Sequence, residues 1–473
     1  MKITKILIDN RGEIAIRIIK TCKKLGIKSV AIYSEADRYS QHTLLADEAI
    51  YIGGVSSAES YLVIDKIIDA AKKSQADAIH PGYGFLSEKA AFAKRVKEEG
   101  IIFIGPSAEA IEIMGSKLES KELAKKIGVP LVPGSTGAIK TFEEAKKIAN
   151  EVGYPVLIKA SAGGGGKGMR VANDENELKN NLERAKSEAL NSFGDDTVFI
   201  EKYITSPRHI EIQILADNFG NVVHLFEREC SIQRRHQKLV EEAPSVVVNE
   251  ATREKMGNYA IALAKACNYT GVGTIEFVWE NENSFYFLEM NTRLQVEHPV
   301  TEFITGLDLV EQQIKVAQNE EMSFSQNDLK ITGHAIELRI CAENVFQNFL
   351  PSTGQILDYV KPTMENIRFD DGLVAGDYVH RYYDPMIGKL IAYAATREKA
   401  IELIAQAIDN YIITGIYTTL PYGKYVFTHP DFIAGNFSTK FIEQNYTHFL
   451  DTFTGKSEIE GQLACGIIKQ ETE

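Results

Sequence analysis

Tryptophan occurs once, at Trp279, and proline only 13 times in 473 residues, which excludes a proline-rich linker chain or a collagen-like repeat. Cysteine is equally sparse. Cys22, Cys230, Cys267, Cys341 and Cys465 form no CxxC pair, so neither a disulfide framework nor a thiolate zinc site is encoded, and buried reduced thiols are expected. No hydrophobic run approaches the roughly 18 residues of a membrane span. The opening MKITKILIDNRGE has only Ile6 to Ile8 before Asp9 interrupts it, and a cytoplasmic protein is expected. Positive charge is in deficit, with 52 Lys and Arg against 65 Asp and Glu, a net charge of −13. That balance argues against a nucleic-acid or membrane-surface binder, and an anionic substrate must meet a local basic cluster.

What remains is ordinary globular composition, 44% apolar and 25% charged, with length for about three domains at roughly 150 residues each. From Lys2 to about Pro106, apolar strands (KILI, SVAIYS, DAIHPG) alternate with amphipathic helices (EIAIRIIKTCKKLG, YLVIDKIIDAAKKSQ), which predicts a doubly wound parallel sheet. Such sheets bind ligands at strand C-termini, here the turns Asn10 to Glu13 and His80 to Gly84. From about Ser107 to Ile331 the pattern becomes α+β. A capping box, Thr141 to Glu144, opens a helix ending at Gly153, the strand VLIKAS follows, and hairpins turn at Asn218 to Asn221 and between Glu280 and Ser284. From about Thr332 to Phe437 come short strands (HAIELRIC, KLIAYAA) and one helix, REKAIELIAQAIDNY.

Three stretches carry chemistry. Gly163 to Gly168 follow VLIKAS, with Lys159 and Lys167 adding charge. Gly168 stands where a Walker A motif needs Ser or Thr, and Met169 to Ala172 is strand-like where a dinucleotide-binding turn would open a helix. A glycine-rich hairpin over phosphates fits better, with a plain surface loop as the alternative. In Phe287 to Glu297, extended backbone would set Glu289, Asn291, Arg293, Gln295 and Glu297 on one face and Leu288, Met290, Leu294 and Val296 on the other. A two-residue turn at Glu282-Asn283 would then oppose Glu276 and Glu289, like charges that a divalent cation or a shared proton would relieve, with Asn291 a further oxygen ligand. Third, Glu227 to Lys238 is locally basic, and Arg234, Arg235, His236 and Lys238 can receive an anion or form a surface network. His209 alternates with Glu211 and Gln213, and Glu201 to Ile204 can offer backbone groups to a purine edge.

With these residues in place, the chain resembles the biotin carboxylase family of ATP-grasp enzymes from Lys2 to about Phe437. The resemblance rests on NRGEIAIRI (Asn10 to Ile18), HPGYGFLSE (His80 to Glu88), GGGGKGM (Gly163 to Met169), EKYI (Glu201 to Ile204), ERECSIQRRHQK (Glu227 to Lys238), EMNTRLQVEHPVTE (Glu289 to Glu302) and YDPMIGKLI (Tyr383 to Ile391). It implies an N-terminal domain over 1–112, an ATP-grasp domain over 113–331 with a lid at about 132–203, a C-terminal mixed α+β domain over 332–445, and a tail over 446–473. ATP would be bound by Lys117, Lys159, Gly164, Gly165, Gly166, Lys167 and Gly168, by Glu201, Lys202, Tyr203 and Ile204, and by His209, Gln233 and His236. Mg²⁺, or Mn²⁺, would sit at Glu276, Glu289 and Asn291. Bicarbonate would be held by Lys238, Arg293, Gln295 and the Val296 amide, with Glu297 as base and Arg339 facing the biotin ureido oxygen.

The implied reaction is ATP- and bicarbonate-dependent carboxylation of biotin through carboxyphosphate. No MKM-type biotinyl hairpin occurs in the sequence, so the biotin carboxyl carrier protein and the carboxyltransferase are expected as separate partners, and a homodimer is expected. Acetyl-CoA, propionyl-CoA and pyruvate remain open as final acceptors. Two departures from the family pattern stand out: Asp9 where Ala is common, and Cys341 where Asn is common. The competing readings are an ATP-grasp ligase of another substrate and a non-catalytic carboxylase scaffold.

Overall fold

The computed structural model describes residues 2–135, 137–160, 169–193 and 196–454. The glycine-rich stretch Gly163 to Gly168 and Cys465 lie outside them. The described residues form two compact units. The larger comprises those up to Ile127, Arg208–Phe277 and those from Leu288 onward; the smaller comprises Gly128–Pro207 and Val278–Phe287.

The larger unit begins with β1 (Lys5–Ile8), β2 (Lys28–Ser34), β3 (Glu48–Gly53), β4 (Ala78–His80) and β5 (Ile102–Phe103). All pair in parallel, in the order β3-β2-β1-β4-β5. Alternation along β1 sends Ile6 and Ile8 into one core with Ile14 and Ile18 of the helix Gly12–Leu25. Leu7 enters another with Ile67 of Ile64–Ser74 and Phe92 of Ala90–Glu98. Both faces are thus covered, as apolar parallel strands require. The helix expected from Tyr61 starts only at Ile64. Tyr61 is drawn into the core instead, where its hydroxyl donates to Asp37 at 2.7 Å.

The turns expected to bind a ligand at the ends of β1 and β4 hold each other. Asn10 donates from Nδ2 to the carbonyls of Pro81 and Tyr83, both at 2.8 Å. Gly82 has a φ of 61°, and a Cβ there would lie 2.9 Å from Asn10 Nδ2, so only glycine fits against the clasp. Arg11 pairs bidentately with Asp37, both bonds 2.7 Å. The side chains of Asn10 and Arg11 are thus engaged within the fold.

In the smaller unit, β6 (Val156–Ala160), β7 (Met169–Ala172) and β8 (Val198–Lys202) form an antiparallel sheet in the order β7-β6-β8. Helices Phe142–Val152 and Glu175–Phe193 cover it through Ala145, Ala149, Leu178 and Leu182. Thr141 caps the first helix by accepting from Glu144 N, and Gly153 ends it at a φ of 81°. The strand-like reading of Met169 to Ala172 holds.

Six further strands follow: β9 (Arg208–Ala216), β10 (Val222–Arg234), β11 (Gln237–Ala243), β12 (Gly271–Asn281), β13 (Ser284–Asn291) and β14 (His334–Cys341). Together with Met386–Ala394 and Ile367–Asp371 they make an eight-stranded sheet, ordered β13-β12-β9-β10-β11-β14 and then those two. The C-terminal strands HAIELRIC and KLIAYAA therefore extend the same sheet that carries the central hairpins. The hairpins at Asn218 to Asn221 and Glu282-Asn283 form as expected. A third, unforeseen one joins β10 to β11 through Arg235 and His236, both at positive φ, 50° and 67°.

Two expectations fail here. Beyond Arg397–Asp409 the segment up to Phe437 carries the helices Leu420–Thr428 and Pro430–Ile433, which the single-helix reading lacked, and Phe441–Thr454 follows it. They pack through Tyr422, Phe427, Phe432, Phe441 and Phe449, aromatics whose bulk obscures a helical period. The last of them runs through Asn445. Second, β13 stops at Asn291, so Arg293 to Val296 are not strand, and the face proposed for Leu288 does not hold: Leu288 is 38% exposed.

Candidate active site

The breakdown of β13 is what builds the site. The chain leaves the sheet after Asn291 and enters the helix His298–Thr305, whose N-cap is Glu297 with φ −81° and ψ 12°. Pro sits in the first turn of that helix, where its missing N–H costs nothing. This loop delivers Arg293, Gln295 and Glu297 to the ends of Lys238 on β11, Glu276 on β12 and Arg339 on β14.

Lys238 is the hub. Its buried ammonium donates to Glu211 Oε2 at 2.6 Å, Glu297 Oε1 at 2.7 Å and Glu276 Oε1 at 2.9 Å. Burial alone would strip its proton, but these three carboxylates outweigh it and hold Lys238 charged. Glu297 is fully buried, and its second oxygen accepts from Arg339 Nη2 at 2.8 Å. Burial opposes its charge, yet Lys238, Arg339 and Arg228 drive its carboxyl far below the ordinary range. Arg339 also donates from Nε to Glu241 at 2.6 Å. Burial and the nearby Glu297 leave Glu241 pushed up to about 7 despite that contact. The backbone of Arg339 is braced by Thr419, whose hydroxyl donates to the Arg339 carbonyl at 2.8 Å and accepts from Cys341 N at 3.0 Å. Cys341 thus takes part through its backbone.

Arg293 forks across the loop. Nε donates to Glu88 at 2.8 Å, Nη1 to Gln295 Oε1 at 3.0 Å and Nη2 to Asn291 Oδ1 at 3.0 Å. Glu276 Oε1 receives Asn291 Nδ2 at 2.9 Å and Gln295 Nε2 at 3.2 Å besides Lys238, while Oε2 lies 3.0 Å from His209 Nε2. Burial works against charge on His209, but Glu276 prevails and raises it. Desolvation and the charge of Glu276 raise Glu289, with Lys117 pulling the other way. That like-charge pair and its oxygen donors suit a hard divalent cation. Asn291, however, already spends its oxygen on Arg293. The tightest clusters of possible ligands among the described residues are His209, Glu211 and Glu276, and Glu211, Cys230 and Glu297. Lys238 bonds members of both, which disfavours a metal at either.

The remaining expected residues are distributed as follows. Gln233 is buried beside Lys238 in the β10–β11 register, and His236 is exposed at that hairpin's tip. Arg234 is not part of the cluster, because it donates to the Asn348 carbonyl at 2.7 Å and covers the Phe349 ring. Lys159, Glu201, Lys202, Tyr203 and Ile204 lie in the smaller unit. Lys159 bonds Glu201, Lys202 pairs with Glu280 at 3.1 Å, and Tyr203 N donates to the Pro155 carbonyl at 2.9 Å. Gly164, Gly165, Gly166, Lys167 and Gly168 are outside the described residues. Cys22, Cys230, Cys267 and Cys341 are free and buried, in line with the thiol reading.

Sequence reasoning missed four contributors: Glu88, Glu211, Arg228 and Glu241. Arg228, fully buried, donates to Glu211 at 2.5 Å and to Gln213 at 2.7 Å, fixing the carboxylate that in turn holds Lys238. Glu211 was visible in its alternation with His209, and Glu88 as the last residue of HPGYGFLSE.

Comparisons with known proteins agree along the chain. Residues 2–111 match the biotin carboxylase N-terminal domain, 116–325 the carbamoyl-phosphate synthase L chain ATP-binding domain, and 337–444 the biotin carboxylase C-terminal domain. Biotin carboxylase 1 of Bacillus subtilis is 52% identical over 442 residues, covering 93% of this chain and 98% of that one. The solved biotin carboxylase domain of a thermophilic 2-oxoglutarate carboxylase, bound to bicarbonate, superposes with a TM-score of 0.92 at 46% identity, covering 95% of this chain and all of that one. The corresponding domain dimer from Hydrogenobacter thermophilus, in complex with MgADP, ADP and bicarbonate, gives 0.87 at 47%, covering 95% and 99%. Among the described residues no helix is long and apolar enough to cross a membrane.

Proposed function

The chain belongs to the biotin carboxylase family of ATP-dependent carboxylating ligases, and from that premise we propose which of its residues perform the reaction. Lys238, Arg293, Gln295 and the Val296 amide receive bicarbonate, Glu297 takes its proton, and Arg339 serves the biotin ureido oxygen. The observation that carries this reading is the position of Glu297 between two cations, one oxygen on Lys238 and the other on Arg339.

That geometry makes chemical sense. Glu297 is ionised throughout the working range and so is always an acceptor, although its low pKa makes it a weak base. Capture of the deprotonated bicarbonate by Lys238 and Arg293, in line with the γ-phosphate, supplies the missing driving force. Bicarbonate oxygen then bonds to the γ-phosphorus as the bond to ADP breaks, yielding carboxyphosphate. Carboxyphosphate breaks into CO₂ and phosphate, the phosphate takes the biotin N1′ proton, and N1′ attacks CO₂. Arg339 stabilises the enolate charge on the ureido oxygen.

ATP binding is assigned to Lys117, Lys159, the Gly164 to Gly168 loop, Glu201, Lys202, Tyr203, Ile204, His209, Gln233 and His236, with residues 132–203 as the lid. Glu276 and Glu289, with Asn291 as a third donor, would hold Mg²⁺, which neutralises phosphate charge when bound. The domain limits expected from the sequence are kept as part of the proposal. So are a homodimer, a carrier bearing biotin, and a carboxyltransferase partner; the dimer is supported by the Hydrogenobacter relative. Free buried thiols support a reducing, cytoplasmic setting.

Glu297→Gln tests the assignment. ATP binding stays within about twofold while bicarbonate-dependent ADP release falls by roughly 10² or more. Near-normal release would remove Glu297 from the base role.

A further inference from the structure

Lys389 lies in the YDPMIGKLI motif, and none of the roles above uses it. It is fully buried, and strand pairing sets it directly opposite Arg339. Directly opposed residues of an antiparallel pair project on the same sheet face, and like charges there destabilise the sheet. Two adjacent cations, Lys389 fully buried and Arg339 largely so, therefore need a compensating partner, and both find it in the same turn. Arg339 takes the Glu297 carboxylate, and Lys389 Nζ donates to the Val296 carbonyl at 2.6 Å. Among the carboxylates around Lys389, Glu13 lies at 3.5 Å and Asp370 at 3.9 Å, and the buried Glu337 shares its sheet face; the shortest contact of Lys389 is the one to the carbonyl. Glu13 is itself bonded by the Tyr83 hydroxyl. The NRGE and HPGYG motifs thereby reach the turn through Lys389.

We propose that Lys389 is a positioning residue for bicarbonate. Its bond to the Val296 carbonyl fixes the peptide between Val296 and Glu297, which sets the aim of the Glu297 carboxylate and the orientation of Val296. Arg339 holds the Glu297 side chain, and Lys389 holds the Val296 backbone. The proposal rests on the assignment of Val296 and Glu297 to bicarbonate given above.

The test compares Lys389→Met, which removes the donor, with Lys389→Gln, which keeps a donor without the charge. Steady-state kinetics of Lys389→Met should show the bicarbonate KM raised about 10-fold to 100-fold with the MgATP KM within about twofold, because misplacement acts on one substrate. Lys389→Gln should recover part of the loss. A bicarbonate KM unchanged in Lys389→Met, or both KM values rising together, overturns the proposal. A crystal structure of Lys389→Met supplies a readout independent of bicarbonate chemistry: the Val296 carbonyl should turn away from its wild-type direction, and an unmoved carbonyl overturns the proposal. If wild-type protein showed no bicarbonate-dependent turnover, the functional assignment would fail while this structural comparison still decided the role of Lys389. Should Lys389→Met not fold, Lys389→Arg, which keeps the charge but displaces the donor, gives the same two readouts.

Discussion

Two buried ion networks lie in the larger unit, and only one is proposed to do chemistry. Around Glu302, Arg17 and Arg368 each donate at 2.7 Å, Leu309 N adds a third bond at 2.7 Å, and the arginines go on to Asp308 and Asp370 at 2.6–2.7 Å. Each of the three carboxylates there is bonded by a guanidinium, Arg17 bridging Glu302 and Asp308 and Arg368 bridging Glu302 and Asp370. Around Lys238, one ammonium serves three carboxylates, and one oxygen of Glu276 collects three donors. In the first arrangement each arginine cross-braces two acids, like a rivet between helix, loop and strand. The second is crowded with like charge that a bound cation and a bound anion would each relieve. Buried charge as such does not mark a site; unequal sharing of partners does.

Matched substitutions should separate the two networks. Glu302→Gln removes the carboxylate that Arg17 and Arg368 share, leaving each with one acid partner, and should lower stability by about 1.5–3 kcal/mol. Bicarbonate KM of the folded fraction should be unchanged. Glu297→Gln removes a charge from the crowded one and should change stability by less than about 1 kcal/mol while turnover collapses. Denaturant titrations paired with kinetics check both, and equal stability losses would erase the distinction. Next in size, Arg339→Met should lower biotin-dependent turnover by roughly 10²–10³, or about 2.7–4 kcal/mol of barrier, with ATP binding retained. Turnover within a factor of two would detach Arg339 from the biotin step.

The smallest effect concerns a buried charge with no network. Asp9 is fully buried, and neither carboxylate oxygen has a hydrogen-bond partner among the described residues. Burial raises its carboxyl well above the ordinary range, so the fold favours the neutral form. In the unfolded chain it titrates near about 4. Wild-type stability should therefore fall as pH rises through and above that value, and the penalty should be absent at lower pH. Asp9→Ala should gain about 1–3 kcal/mol at pH 8, with the advantage shrinking toward pH 4. Melting temperatures of both proteins across that range provide the check, and a pH-independent difference would show that Asp9 is solvated or paired.

Local signals were legible and long-range ones were not. β1, β2 and β4 were readable because β-branched runs and amphipathic helices differ in period, and the hairpin at Asn218 to Asn221 because its turn residues are specific. The alternation from Glu289 to Glu297 grouped side chains that the fold brings together, for a partly wrong reason. They converge because the chain leaves the sheet at Asn291 and the helix starts at His298; Pro299 was the available signal for that start. The roles of Glu88, Glu241 and Lys389 depend on partners far away in sequence, beyond the reach of any window. Asn10 and Arg11 look equally site-like in the sequence, yet the fold spends them on Pro81, Tyr83 and Asp37.

The central claim is that the Lys238, Glu297 and Arg339 cluster activates bicarbonate for transfer to biotin. ADP release by the purified protein, measured with MgATP and bicarbonate in the presence and absence of free biotin, tests it most directly. The account predicts release that biotin stimulates and that vanishes without bicarbonate. Release indifferent to biotin would contradict it and point to another substrate for the same ATP-dependent fold.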